Sequence, residues 1–191
     1  MRSSRDYIIF PLDLSEYDRV MRYVNLLKDV VGVFKIGLEL FISQGPGIIG
    51  SIRSLCNNKI FLDLKLHDIP ETVRRSITAV IPYRPEFITI HPELPPGFLK
   101  DMEIGQTKIL AVTLLTSIDN GMLRDMGYAT NNPRELVISR ARWAMKIGCH
   151  GVVCSGQEVE RVKDVLGSSL VTVVPGIRPR WSVSKDDQRR I

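Results

Sequence analysis

A chain of 191 residues with 44% hydrophobic and 25% charged residues has an ordinary globular composition, which excludes a disordered or fibrous protein. No run approaches the roughly 18 apolar residues of a membrane-spanning helix, and the apolar segment 8–12 is too short for a secretion signal. The net charge of +5 comes from scattered lysines and arginines, so nucleic acid is a weaker alternative than an anionic metabolite.

Short β-branched runs alternate with amphipathic stretches along almost the whole chain. The predicted strands are 7–13, 33–37, 59–65, 86–90, 108–113, 151–154 and 170–174. The main predicted helices are 16–30, 48–55, 69–81, 133–147 and 157–165, and the apolar neighbours of Trp143 suggest that its ring is in the core. Repeated βα units with apolar strands predict a parallel sheet covered by helices.

The three cysteines, Cys56, Cys149 and Cys154, are too few and odd in number for a disulfide framework. They fit a reducing compartment, and with the N-terminal sequence they predict a cytoplasmic protein. Cys154 ends an apolar, strand-like run, and no paired set of metal ligands occurs elsewhere. We therefore expect no metal site.

Polar residues lie at the ends of many predicted strands: Asp13 closes the first strand, Asp63 lies near the end of the third, and Thr116 follows the fifth. Side chains gathered from many strand ends are typical of a (β/α)8 barrel rather than of an open doubly wound sheet. No linker divides the chain, so we expect a single domain over residues 1–191. Only seven strands are found, which predicts a TIM barrel that lacks its eighth β/α unit and is incomplete at the C-terminus.

The segment 61–70 contains the densest set of charged residues at a predicted strand end. Side chains alternate along a strand, so Asp63 and Lys65 point the same way, into the centre of a barrel. Lys35 on the neighbouring strand adds a second ammonium, and Asp68 a second carboxylate. Charges held in such a place must be paired. The structural alternative is a salt-bridged strand end that only stabilises the barrel, but four buried charges favour function.

The stretch Phe-Leu-Asp-Leu-Lys-Leu-His-Asp-Ile-Pro at 61–70 closely resembles the catalytic signature of the orotidine 5'-monophosphate decarboxylases. The similarity extends in the family's order through the segments 34–37, 111–117, 151–155, 175–179 and 187–190. The resemblance covers nearly the whole chain. It implies a cofactor-free barrel enzyme that converts orotidine 5'-monophosphate to uridine 5'-monophosphate in pyrimidine synthesis.

The resemblance also implies roles for single residues. Lys65 would protonate C6 of the pyrimidine while Asp63 sits against the substrate carboxylate. Asp13 would bind the ribose or base side, Lys35 a ribose hydroxyl and Thr116 the pyrimidine. The loop that closes over the base and phosphate would contain Pro175, Arg178 and Gln188. The residues expected to reach the neighbouring subunit's site, which implies a homodimer, are Asp68, Ile69 and Thr72.

Two other functions stay open at the level of the sequence. Magnesium-dependent sugar-phosphate lyases and aldolases of the same superfamily share the Asp-x-Lys-x-x-Asp pattern, although the segments 115–117 and 175–179 favour the decarboxylase. The eighth strand's Gly-Arg pair, which grips the phosphate in the family, is not in the sequence. An inactive nucleotide-binding remnant is therefore the second alternative.

Overall fold

The structure, a computed structural model, describes residues 3–130 and 132–177. These residues form two compact units. The first holds the described residues up to Thr89 together with Glu103–Lys108, and the second holds Ile90–Met102 together with the described residues from Ile109 onward. None of the helices in these ranges is long and apolar enough to cross a membrane. The single domain expected from the sequence stays a prediction.

The first unit alternates strands with helices. In chain order its elements are a 3-10 helix (Ser4–Tyr7), β1 (Ile9–Pro11), α1 (Tyr17–Leu27), β2 (Val33–Gly37), α2 (Leu38–Gln44), α3 (Gly47–Leu55), β3 (Lys59–Leu66), α4 (Pro70–Val80), a second 3-10 helix (Ile81–Tyr83) and β4 (Phe87–Ile90), whose last residue falls in the second unit. Pro70 is the first residue of α4. Proline has no backbone N–H, and at this position an N–H would have no hydrogen-bond acceptor within the helix. Gly45, with φ of +66°, separates α2 from α3 without backbone strain.

Parallel pairing brings the C-terminal ends of the first three strands to one edge. The pairing of β1 with β2 ends with Pro11 opposite Lys35. The pairing of β2 with β3 ends with Gly37 opposite Asp63. Asp13 follows β1 by two residues, so this register places its side chain at the same edge as the other two charged groups.

The interior of the first unit lies between the strands and their helices. Phe34 and Ile36 on β2 are fully buried, as are Ile60 and Leu62 on β3. The buried side chains of the helices are Val20, Val24, Leu40, Ile48, Ile49, Ile52, Val73, Ile77 and Val80. Burying one such side chain stabilises the fold by about 1.5–3 kcal/mol. This packing therefore gives the two strands that carry the charged residues a rigid support.

The second unit continues the same alternation. Its elements are β5 (Lys108–Val112, whose first residue belongs to the first unit), α5 (Asn120–Asp125), α6 (Pro133–Ile147), β6 (Gly151–Val153), α7 (Val159–Leu166) and β7 (Val171–Val173). Strand β6 pairs in parallel with both β5 and β7. Asn132 caps α6 by accepting a hydrogen bond from the Arg134 N–H at 3.1 Å, and Gly148 ends the helix with φ of +101°.

Gly151 allows β6 and β7 to approach each other closely. A Cβ atom at this position would collide with the carbonyl oxygen and the side chain of Val171. Backbone atoms cannot move aside as a flexible side chain can. The register of this strand pair therefore requires glycine.

All seven predicted strands are present, with ends displaced by at most two residues. The predictions for β2 and α6 match the observed bounds. The prediction that Trp143 lies in the core is wrong. Its side chain is 38% exposed, and its indole N–H donates to the carbonyl of Leu94 at 3.1 Å. The ring lies on the outer side of α6, where the ammonium of Lys146 is 5.5 Å from its centroid.

Candidate active site

Four charged side chains meet at the C-terminal ends of β1, β2 and β3. The Nζ atom of Lys35 lies 2.9 Å from Oδ1 of Asp13 and 3.6 Å from Oδ2 of Asp63. The Nζ atom of Lys65 lies 2.8 Å from the same Oδ2 atom. We call these four residues the strand-end cluster. The side chains of Asp63 and Lys35 are only 13% and 18% exposed, so their pairing offsets the cost of removing the charges from water.

The backbone of Lys65 has an uncommon conformation. Its φ angle is +49°, in the left-handed region that residues other than glycine rarely adopt. Such a residue costs about 1–3 kcal/mol and persists only where its surroundings fix it. The Lys65 N–H donates to Oγ1 of Thr89 at 2.9 Å, and the same hydroxyl donates to Oδ1 of Asp63 at 2.9 Å. One hydroxyl group therefore holds both the Lys65 backbone and the Asp63 carboxylate.

Gly37, the last residue of β2, leaves room for the strand-end cluster. A Cβ atom at this position would lie 3.0 Å from Oδ1 of Asp13 and 3.0 Å from Nζ of Lys35. The φ angle of Gly37 is −90°, which any residue can adopt. The glycine thus contributes space rather than conformational freedom, which explains its place in the Phe-Lys-Ile-Gly motif.

The geometry of Lys65 suits chemistry on a bound anion. Its side chain is 31% exposed, so the ammonium is held on one side by Asp63 and keeps an open side. An ammonium has three N–H donors, and Lys65 directs one of them to the Asp63 carboxylate. A fixed cation of this kind can stabilise negative charge that develops on a ligand, and can also donate a proton to it.

A second charged group in the first unit lies at the opposite ends of the strands. Oε1 of Glu86 is 2.7 Å from Nζ of Lys108 and 3.2 Å from Nζ of Lys59. Burial raises the pKa of the Glu86 carboxyl, but hydrogen bonds and attraction from Lys108 and Lys59 outweigh it, so the pKa lies below its ordinary value of 4.5. We call these three residues the basal triad.

The second unit contains two buried cysteines. Cys149 and Cys154 are buried, and neither forms a disulfide. Burial raises the pKa of the Cys149 thiol to about 12, so it is protonated near neutral pH, whereas metals bind the thiolate. Among residues 3–130 and 132–177, no three His, Cys, Asp or Glu side chains come together as a metal site.

Comparison with known proteins places this geometry in a family. The family model described as "Orotidine 5'-phosphate decarboxylase / HUMPS family" matches residues 6–191. The chain belongs to this family. The orotidine 5'-phosphate decarboxylase of Desulfosudis oleivorans is 43% identical over 198 aligned residues, which cover 100% of this chain and 80% of that protein. The protein of the same name from Methylococcus capsulatus is 40% identical and is matched over 97% of this chain and 76% of its own length.

Solved structures agree with the family assignment. The orotidine 5'-phosphate decarboxylase of Lactobacillus acidophilus is 34% identical, with a TM-score of 0.78 over 90% of this chain and 81% of that one. An uncharacterized conserved protein from Geobacillus kaustophilus is 28% identical, with a TM-score of 0.78 over 87% of this chain and 82% of that one. The predicted TIM-barrel fold is confirmed, with seven strands in the described residues, and the chain is shorter than these relatives.

The residues that the decarboxylase resemblance assigns to a neighbouring subunit surround the start of α4. Asp68, Ile69 and Thr72 are all exposed. The sequence suggested that Asp68 joins the charged array of its own chain, and this is wrong. Its carboxylate accepts a hydrogen bond from the Ile69 N–H at 2.7 Å, and among the described residues no ion pair links it to the strand-end cluster. Asp68 lies beyond the end of β3, in the turn before the helix.

The remaining predicted decarboxylase residues belong to the second unit or lie outside the described residues. Thr116 is half-buried in the turn after β5, where the Ile118 N–H donates to the Leu115 carbonyl at 3.0 Å. Pro175 is half-buried and follows β7 by two residues. The two predicted residues outside the described ranges are Arg178 and Gln188.

Thr89 is a site residue that the sequence did not reveal. Its side chain is fully buried, and it contacts two members of the strand-end cluster. The available signal was a polar residue within an apolar strand, Phe-Ile-Thr-Ile, that is buried at its last three positions. A buried hydroxyl needs hydrogen-bond partners, and here both of them belong to the strand-end cluster.

Proposed function

We propose that this chain decarboxylates orotidine 5'-monophosphate to uridine 5'-monophosphate, a step of de novo pyrimidine synthesis. The observation that carries the proposal is the strand-end cluster, in which Lys65 holds its ammonium 2.8 Å from Asp63 on a strained backbone. Membership of the family and 43% identity to a relative named for this activity support it.

In the proposed reaction, the bond between C6 of the pyrimidine and its carboxylate breaks, carbon dioxide leaves, and the electron pair stays on C6. The ring delocalises this charge poorly, so catalysis depends on charges that are already in position. Asp63 sits against the substrate carboxylate. Lys65 stabilises the negative carbon and transfers one proton to it, which forms the C–H bond of the product, and water then reprotonates the amine.

Other residues bind the rest of the nucleotide in this proposal. Lys35 holds a ribose hydroxyl, Asp13 the ribose or base side, and Thr116 hydrogen-bonds the pyrimidine. The net charge of +5 favours the approach of an anionic substrate. Binding energy from the phosphate closes a loop that excludes water from the reacting carbon. The proposed members of that loop are Pro175, Arg178 and Gln188.

The test is an absorbance assay with orotidine 5'-monophosphate, with the Desulfosudis oleivorans relative as positive control and Lys65→Ala as blank. We expect the pyrimidine absorbance to fall with the parent chain and to fall equally in excess chelator. Loss of turnover in chelator would favour the magnesium-dependent lyase. Binding of uridine 5'-monophosphate without turnover, under conditions where the control is active, would favour the inactive remnant.

We also propose that the active unit is a homodimer with shared sites. Support comes from the start of α4, where Ile69 is 66% exposed although it is a large apolar residue. Asp68 and Thr72 are exposed beside it and do not join the charged cluster of their own chain. Packing of this segment against a second copy would bury the isoleucine and bring the Asp68 carboxylate to the partner's site.

Mixing inactive variants tests the shared site. Lys65→Ala and Asp68→Ala chains are each expected to be inactive alone. In a randomly mixed dimer, one of the two sites of each heterodimer is intact, so about a quarter of the parent activity should return. Light scattering establishes the dimer first. A proven mixed dimer with no recovered activity would mean that each site is built from one chain.

The proposal includes a cytoplasmic location. None of Cys56, Cys149 and Cys154 forms a disulfide, and reduced cysteines are typical of proteins kept in a reducing compartment. Fractionation of producing cells tests this point. We expect the protein in the cytosolic fraction, and its recovery from the medium or from membranes would contradict the proposal.

A further inference from the structure

The hydroxyl group of Thr89 is both a hydrogen-bond acceptor and a donor to residues of the strand-end cluster. Its side chain is fully buried on β4, away from solvent competition. Oγ1 accepts a hydrogen bond from the Lys65 N–H at 2.9 Å and donates one to Oδ1 of Asp63 at 2.9 Å. The Lys65 amide therefore donates to a side-chain oxygen of β4.

The two oxygens of the Asp63 carboxylate have different partners. Oδ1 receives the hydroxyl of Thr89, whereas Oδ2 faces the ammonium groups of both Lys65 and Lys35. A carboxylate anchored at one oxygen cannot rotate freely about its terminal bond. The anchor thus fixes the direction in which the second oxygen meets the two cations.

We propose that Thr89 is a positioning residue for the decarboxylation, an inference that rests on the proposed function. Its hydroxyl holds Lys65 in the left-handed conformation and aims the Asp63 carboxylate at the two lysines. Thr89 itself does not touch the substrate. Its effect is on preorganisation, because charges that must first move into place lose part of their advantage in the transition state.

The test compares Thr89→Val, which keeps the shape and removes the hydroxyl, with Thr89→Ser, which keeps the hydroxyl. Displacement of a reacting group by about 1 Å can cost on the order of 100-fold, so we expect Thr89→Val to lower kcat by roughly 10- to 100-fold. KM should change by less than about threefold, because substrate contacts remain. Thr89→Ser should recover most of the lost kcat.

Thr107→Val is the matched control. Thr107 is a buried threonine of the same unit whose hydroxyl donates to the carbonyl of Pro85 at 2.8 Å. The control should lower the unfolding temperature by an amount similar to that of Thr89→Val and leave kcat unchanged. A Thr89→Val variant with kcat within about threefold of the parent, or a Thr89→Ser variant as impaired as Thr89→Val, would overturn the proposal.

Amide hydrogen exchange in the unaltered chain provides an independent measurement. The Lys65 N–H should be protected by its hydrogen bond to Thr89, although Lys65 lies at the end of its strand. Exchange as fast as in exposed turns would overturn the proposal, whatever the fate of the variants. If the parent chain does not turn over orotidine 5'-monophosphate, the proposed function fails, and a protected Lys65 amide would still support the positioning geometry.

Discussion

The two ends of β3 carry similar charges and differ in their backbone. At the start of the strand, Lys59 joins the basal triad around Glu86; near its end, Lys65 joins the strand-end cluster around Asp63. The two carboxylates have similar exposure, 18% for Glu86 and 13% for Asp63. Both accept two ammonium groups within 4 Å. Charge and burial alone therefore do not distinguish the two sites.

The backbone and the neighbouring hydroxyl make the difference. Lys65 has a left-handed φ angle and is tied to a buried threonine, whereas Lys59 begins β3 without a positive φ angle. In a barrel, the C-terminal ends of the strands carry the chemistry and the N-terminal ends contribute to stability. Backbone strain beside paired charges is thus the better indicator of function in this unit.

The largest expected effect is a difference in kcat between lysine substitutions at the two ends of β3. Lys65→Ala should lower kcat by at least about 1,000-fold, because it removes both the proposed proton donor and the fixed cation. Binding of uridine 5'-monophosphate, measured by calorimetry, should persist. The matched control is Lys59→Ala, which removes an exposed lysine of the basal triad and should leave kcat unchanged. Turnover of Lys65→Ala within tenfold of the parent would remove Lys65 from its proposed role.

A smaller effect is expected at the centre of the strand-end cluster. Lys35→Ala removes the ammonium that lies between Asp13 and Asp63, so the two carboxylates lose a shared partner. We expect kcat/KM to fall by roughly 100-fold, mostly through KM, because the proposed ribose contact is lost as well. Lys108→Ala is the corresponding control in the basal triad. Steady-state kinetics that are equal for the two variants would contradict the distinction between the clusters.

The smallest effect concerns stability. The Glu86 pKa is lower in the folded state than its ordinary value of 4.5, so its contribution is present above that pH and is lost as the pH falls through the folded pKa. Glu86→Gln should lower the free energy of unfolding by about 1 kcal/mol at neutral pH, since its partners are partly exposed. Urea titrations should show this gap shrinking as the pH falls below 4.5 and through the folded pKa. A gap that is independent of pH would contradict this account.

The sequence predicted the fold well where its pattern is strong. The apolar run at 33–37 and the periodic segment at 133–147 gave β2 and α6 with the observed bounds. Helix α5 was missed because it has only six residues and is entered through Asp119-Asn120-Gly121, a combination typical of turns. Its capping hydrogen bond, from the Met122 N–H to Oδ1 of Asp119, becomes evident only in three dimensions.

The candidate site could be predicted only in part. Alternation along β3 correctly paired Asp63 with Lys65, because that relation is local. The Thr89 hydrogen bonds and the left-handed φ angle of Lys65 depend on how neighbouring strands meet, which spacing along one chain does not encode. The prediction that Asp68 joins the charged cluster of its own chain failed for a related reason. Strand β3 ends at Leu66, so the alternation of side chains along the strand does not extend to Asp68.

The positive φ angle of Lys65 lowers the stability of the fold, whereas the Lys65 side chain is needed for the proposed reaction. Glycine adopts a positive φ angle freely, whereas a residue with a side chain costs about 1–3 kcal/mol there. A Lys65→Gly chain should therefore melt at a higher temperature than a Lys65→Ala chain while having no turnover. A directed-evolution screen that rewards heat resistance alone would drift toward glycine at this position, and thermostabilised variants of this enzyme need selection for growth without uracil at the same time.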